Sequence, residues 1–83
     1  MKKIKLHEMV ALKEDIRSIR FLTEMPILLS QGQVGTVIDV LGGGEAYEVE
    51  FADLQGQAYA VLAIKAEKLM VLRYEPVDLL GVN

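Results

Sequence analysis

Residues 33–51, Gln-Val-Gly-Thr-Val-Ile-Asp-Val-Leu-Gly-Gly-Gly-Glu-Ala-Tyr-Glu-Val-Glu-Phe, constrain the chain more than any other stretch. Two runs rich in β-branched and aromatic residues flank three glycines, the pattern of two β-strands joined by a glycine-rich turn. Opposed residues of an antiparallel pair share a face and neighbours along a strand alternate, so the apolar pattern selects a register. With 42–45 as the loop, Val40 faces Tyr47, Ile38 faces Val49 and Thr36 faces Phe51, while Asp39, Glu48 and Glu50 point to water. A slip of one residue sets Asp39 beside Tyr47 and Ile38 beside Glu48, which wastes the pattern. The preferred register opposes Asp39 to Glu48 at about 0.5 kcal/mol, against about 2 kcal/mol for burying each of Tyr47 and Phe51. It predicts a core of Ile38, Val40, Val49 and Phe51, with Gly35 where a side chain would clash or distort the strand.

A chain of 83 residues has room for one domain, residues 1–83, and buries only about 60% or slightly more of its unfolded surface. At 52% hydrophobic residues it is apolar for its size, which suggests that part of the surplus lies in an interface. Nine Lys and Arg against twelve Asp and Glu leave a net charge of −3, so no global basic field draws the domain to phosphate backbones. The absence of cysteine excludes disulfides and thiolate zinc sites, and the lone His7 cannot build an imidazole cluster. No apolar run approaches ~18 residues, so the expectation is a cytoplasmic protein with no membrane span.

In chain order, residues 1–7 read as a basic arm and 8–13 as the first strand. Residues 14–30 form a long excursion: Ile16, Ile19 and Leu22 recur at helical spacing, but β-branched residues, Thr23 and Pro26 oppose a stable helix. Its Ile27, Leu28 and Leu29 are expected to fold back over a small barrel, helped by Phe21 and Leu22. After the central hairpin, 52–56 is a turn and 57–64 a fourth strand that is apolar on both faces, so the excursion or a second subunit must cover it. Residues 65–68 are a polar break of one helical turn, 69–72 a fifth strand, and Pro76 stops pairing. The tail 77–83 is apolar and is expected to dock.

The elements Gly32-Gln-Val-Gly-Thr-Val, Tyr47-Glu-Val-Glu-Phe, Gly56 and a strand ending near Leu69 resemble a bacterial, often cyanobacterial, family of small stand-alone proteins described only as a domain of unknown function. The resemblance spans roughly 9–76 and implies an all-β fold: a small SH3-like antiparallel five-stranded barrel with a long loop between strands one and two. Similar glycine-valine strands occur in ribosome- and transcription-associated KOW domains and in the β subunit of nitrile hydratase. The family supplies no catalytic or cofactor residues, and its associations suggest a toxin-like protein as one partner.

The acidic strip of Asp39, Glu48 and Glu50 is explained by strand alternation, since catalysis would need a pocket to perturb such carboxylates. Gly42, Gly43 and Gly44 lack the Lys-Ser or Lys-Thr and the helix of a phosphate cradle. Ser18, Thr23, Ser30 and Thr36 have no base-and-orienter pair, so no enzyme is expected, and no cofactor or metal. Tyr59 and Tyr74 are too few aromatics for a proline-peptide groove. The expected function is a non-catalytic protein-interaction module, self-associating or serving as the small partner of another bacterial protein. Its expected surface is Leu28, Leu29, Tyr59, Val61, Leu79, Leu80 and Val82. The alternative is a KOW-like nucleic-acid or ribosome contact through Lys13, Arg17 and Arg20 with Lys2, Lys3 and Lys5 of the arm.

Overall fold

Gly42, Gly43 and Gly44 take φ values of +58°, +69° and +110°, a conformation that costs glycine little and reverses the chain between two long paired strands. The structure, a computed structural model, describes residues 3–80. Its strands are β1 (Met9–Leu12), β2 (Ile16–Ile19), β3 (Pro26–Leu29), β4 (Val34–Leu41), β5 (Ala46–Ala52), β6 (Ala58–Lys65) and β7 (Leu69–Val71), with a 3-10 turn at Ala66–Lys68 between the last two. Five strands form one antiparallel sheet in the order β6-β5-β4-β1-β7, and β2 and β3 form a separate hairpin. The five strands read from the sequence are thus β1, β4, β5, β6 and β7. A closed barrel is not formed: among the described residues β6 pairs only with β5 and β7 only with β1, so the sheet keeps two edges.

The excursion is ordered, not a loop. Ile16 to Ile19 pair with Leu29 to Pro26, and Pro26 opens β3, where its missing N–H removes no interior ladder bond. The helical spacing of Ile16, Ile19 and Leu22 is accidental, because pleat alternation turns Ile16 toward the core and leaves Ile19 exposed.

In the central hairpin, Val40 faces Tyr47 and Asp39 faces Glu48 as the pattern predicts, but the register then shifts by one. Ile38 is the extra residue of a β-bulge; Val37, not Ile38, faces Val49, and Thr36 faces Glu50, not Phe51. The bulge reverses the alternation, so Val37 is fully buried while Ile38 is 40% exposed. Val40 is 38% exposed as well, for although it faces Tyr47 it stands at the turn end of the hairpin, outside the core cluster. Asp39 is exposed, and Glu48 and Glu50 are half-buried. Tyr47, Val49 and Phe51 are buried with Val10, Leu12, Leu29, Ile64 and Leu69 in one apolar cluster.

The arm is partly built in. Ile4 is buried, its N–H donates to the Tyr47 hydroxyl at 3.2 Å, and the His7 N–H donates to the Val37 carbonyl at 2.7 Å. A buried tyrosine needs such a partner for its hydroxyl. The tail does not dock over its described part: Val77, Leu79 and Leu80 are each more than four-fifths exposed.

Candidate interaction surface

The β2–β3 hairpin is held from beneath and bare above. Leu29 is buried, and Ile16 and Ile27 pack half-buried on the same cluster, which anchors one face of the hairpin. Tyr59 of β6 fixes its flank: the Phe21 N–H donates to the Tyr59 carbonyl at 2.9 Å, and the Arg20 guanidinium lies 5.0 Å from the ring centroid. A cation over a tyrosine face contributes about 0.5–1 kcal/mol at a partly exposed site. The Tyr59 hydroxyl accepts a hydrogen bond from the Gln33 side-chain amide, and Asp15 accepts one from the Gln31 N–H at 2.7 Å.

The other face carries Ile19 and Leu28, both more than half exposed, with exposed Pro26 and Arg17 opposite them, and Phe21, Leu22 and Met25 stand exposed in the turn between the strands. Leu22 is 99% exposed and has φ +69°, and Glu24 beside it has φ +56°. The left-handed region costs a non-glycine residue roughly 1–2 kcal/mol, so a bulky apolar side chain is held in water in a strained backbone. Neither packing nor turn propensity accounts for leucine there.

The expected surface residues are dispersed. Leu28 lies on the bare face of the hairpin, Tyr59 is half-buried under Arg20, and Val61 is half-buried on β6. Leu29 belongs to the core and cannot meet a partner, because alternation sends neighbours of β3 to opposite faces. Leu79 and Leu80 follow β7, at the far edge of the sheet from β6, and Val82 lies outside the described residues. Phe21 and Leu22 do not join the core cluster as expected; with Met25 they add exposed apolar surface in the turn beside Ile19. The signal for them is the apolar density of 19–29, legible only once the segment is known to be paired.

A cleft of about 800 Å³ opens beside β7, with Ile4, Leu69 and Val71 among its apolar lining and Lys3, Lys13 and Arg73 among its charged one. The expected basic patch is therefore divided: Lys3 and Lys13 border this cleft, Arg20 lies on Tyr59, and Lys2 is outside the described residues. Arg73 is also 3.4 Å from Glu8, and Lys68 is 3.1 Å from Glu14, exposed pairs that contribute little to stability. Among the described residues no group of three or more His, Asp or Glu could hold a metal ion, and no helix is long and apolar enough to cross a membrane.

A family model described as a domain of unknown function, DUF4926, matches residues 6–71, from the end of the arm to the end of β7. No curated protein and no solved structure matches.

Proposed function

The chain belongs to the DUF4926 family, and we propose that it is a non-catalytic protein-interaction module, the small companion of another bacterial protein in the cytoplasm. Its sheet order, with an ordered excursion between the first two sheet strands and a 3-10 turn before the last, supports an SH3-like architecture left open at one seam. The observation that carries the reading is Leu22, fully exposed and strained at the tip of an apolar hairpin. Burial of that side chain and its neighbours on a partner offsets a strain that folding alone leaves uncompensated. A toxin-like protein with an apolar groove is the partner class this reading favours.

Leu22→Asn tests it, since asparagine tolerates the left-handed region and removes the apolar contact. The expected result is unchanged or slightly raised thermal stability together with loss of the partner that co-purifies with the parent protein from cells. Equal recovery of that partner by the variant rejects the hairpin as the contact.

The second reading, a KOW-like nucleic-acid contact, draws on Lys3, Lys13 and Arg73 around the cleft. It requires retention of nucleic acid by the pure protein that falls steeply with added salt, because displaced counterions return to the phosphates. Retention insensitive to salt, or none at low salt, rejects it.

A further inference from the structure

The β2–β3 hairpin occupies only the start of the outer edge of β6. Phe21 bonds the Tyr59 carbonyl, and Tyr59 is itself the extra residue where the β5–β6 register shifts, between Ala58 and Ala60. Beyond that point the orientation of the edge follows from one bond. The Ala66 N–H donates to the Glu45 carbonyl at 3.0 Å, which makes Ala46 and Lys65 a non-hydrogen-bonded pair of the ladder. Lys65, Ala63 and Val61 therefore turn their main-chain N–H and C=O groups away from β5, and among the described residues no other backbone group meets them there.

Natural sheets guard such edges with proline, bulges or charge. Residues 61–64 are Val-Leu-Ala-Ile, with neither proline nor charge, and their pairing with β5 is regular. Charge stands only beside the strand: Glu50 faces Val61 and Glu48 faces Ala63 across the ladder, and Lys65 ends the run. None of these three makes an ion pair among the described residues.

We propose that β6 pairs antiparallel with β6 of a second copy about a two-fold axis at Ala63, merging two sheets into one. The inference rests on the interaction-module reading but uses main-chain groups of β6 that the hairpin does not bond. Centring on Ala63 sets Val61 opposite the partner's Lys65, so all the outward groups of Val61, Ala63 and Lys65 are used, about six main-chain hydrogen bonds. Centring on Leu62 would lay the partner's Lys65 along Tyr59, where Phe21 already sits. With the axis at Ala63 the partner strand ends beside Val61, because its chain turns away at Ala66–Lys68. The pleat then sets the partner's Lys65 on the face that carries Glu50, with Val61 between them, so each copy supplies a cation to the other's carboxylate.

The test is light scattering or sedimentation of the pure chain across a wide concentration range, with three variants. The parent is expected to show a reversible monomer–dimer equilibrium. Ala63→Pro removes an N–H that faces away from β5, so it leaves the intramolecular ladder whole and is expected to be folded and monomeric. Lys65→Glu is expected to weaken self-association roughly tenfold or more, and Glu50→Lys added to it to restore the dimer. Leu22→Asn is expected to leave the dimer unchanged. A parent that is monomeric at every concentration overturns the proposal, as does a dimer that survives in folded Ala63→Pro. If Ala63→Pro fails to fold, an unaltered dimer in Lys65→Glu overturns it instead. A monomeric parent that still loses its partner in Leu22→Asn rejects the β6 dimer and leaves the interaction-module reading standing.

Discussion

Phe51→Ala is expected to lower the unfolding free energy by about 3–5 kcal/mol, the range for truncating a fully buried aromatic ring. Phe51 has no exposed surface and lies on the inner face of β5 among Val49, Val37 and Tyr47, which are equally enclosed. Emptying that space removes both the transfer energy of the ring and the contacts of its neighbours, and Val37, Val49 and Tyr47, themselves held in close packing, have little freedom to collapse into the gap. For a chain of 83 residues each kcal/mol moves the melting temperature by about 4–8 °C, so the variant should melt at least about 12 °C below the parent. Circular dichroism followed through heat and urea measures this. Leu54→Ala is the control, since Leu54 is wholly exposed in the turn between β5 and β6 and should shift stability by no more than about 0.5 kcal/mol. A Phe51→Ala protein that melts with the parent would remove the ring from the core.

What is legible in the sequence divides by the kind of signal each element carries. Met9–Leu12, Ala58–Lys65 and Leu69–Val71 announce themselves by apolar runs between turn residues, Ala46–Ala52 by its alternation, and the polar break at Ala66–Lys68 forms its single helical turn. The turn end of the central hairpin is legible because Gly42, Gly43 and Gly44 pin the loop and Val40 then meets Tyr47. The bulge at Ile38 is not, because Val37 and Ile38 are adjacent β-branched residues and alternation alone cannot choose which of them faces Val49. Closure of the barrel is not legible either, for it depends on whether the edges of β6 and β7 meet and not on any residue pattern within them. The excursion misleads because Ile16, Ile19 and Leu22 imitate a helix, whereas pairing of Ile16 with Leu29 is a contact between distant positions. The bare hairpin tip is hidden for the same reason: apolarity alone sends Leu22 to cover a core that Leu29 alone of its neighbours enters fully.

Gly35→Val is the second large effect, and its sign is decided by space and not by backbone preference. Gly35 is buried in β4 and lies outside the positive-φ region, so any residue tolerates its conformation, and valine is by propensity a better strand residue by up to about 1 kcal/mol. A Cβ at this position, however, would stand 2.6 Å from Val49 Cγ1, 2.9 Å from Phe51 Cε1 and 3.0 Å from the Glu50 carbonyl oxygen. Two of those atoms belong to fully buried side chains and the third to the backbone of the neighbouring strand, so none can retreat by rotating into solvent. Gly35→Ala would already force β4 and β5 apart, and the two extra methyl groups of valine enlarge the displacement; overpacking of this kind costs typically about 1–3 kcal/mol and more where the backbone must move. The loss should therefore exceed the propensity gain and reach about 3 kcal/mol or more, read as a fall in both the melting temperature and the urea midpoint. A double-mutant cycle locates the cause: Gly35→Ala combined with Val49→Ala should be less destabilised than the sum of the single changes by roughly 0.5–3 kcal/mol, because the second substitution vacates the space the first invades. Strict additivity, or a Gly35→Val protein as stable as the parent, would show that β4 and β5 do not approach as closely as Val37 facing Val49 requires.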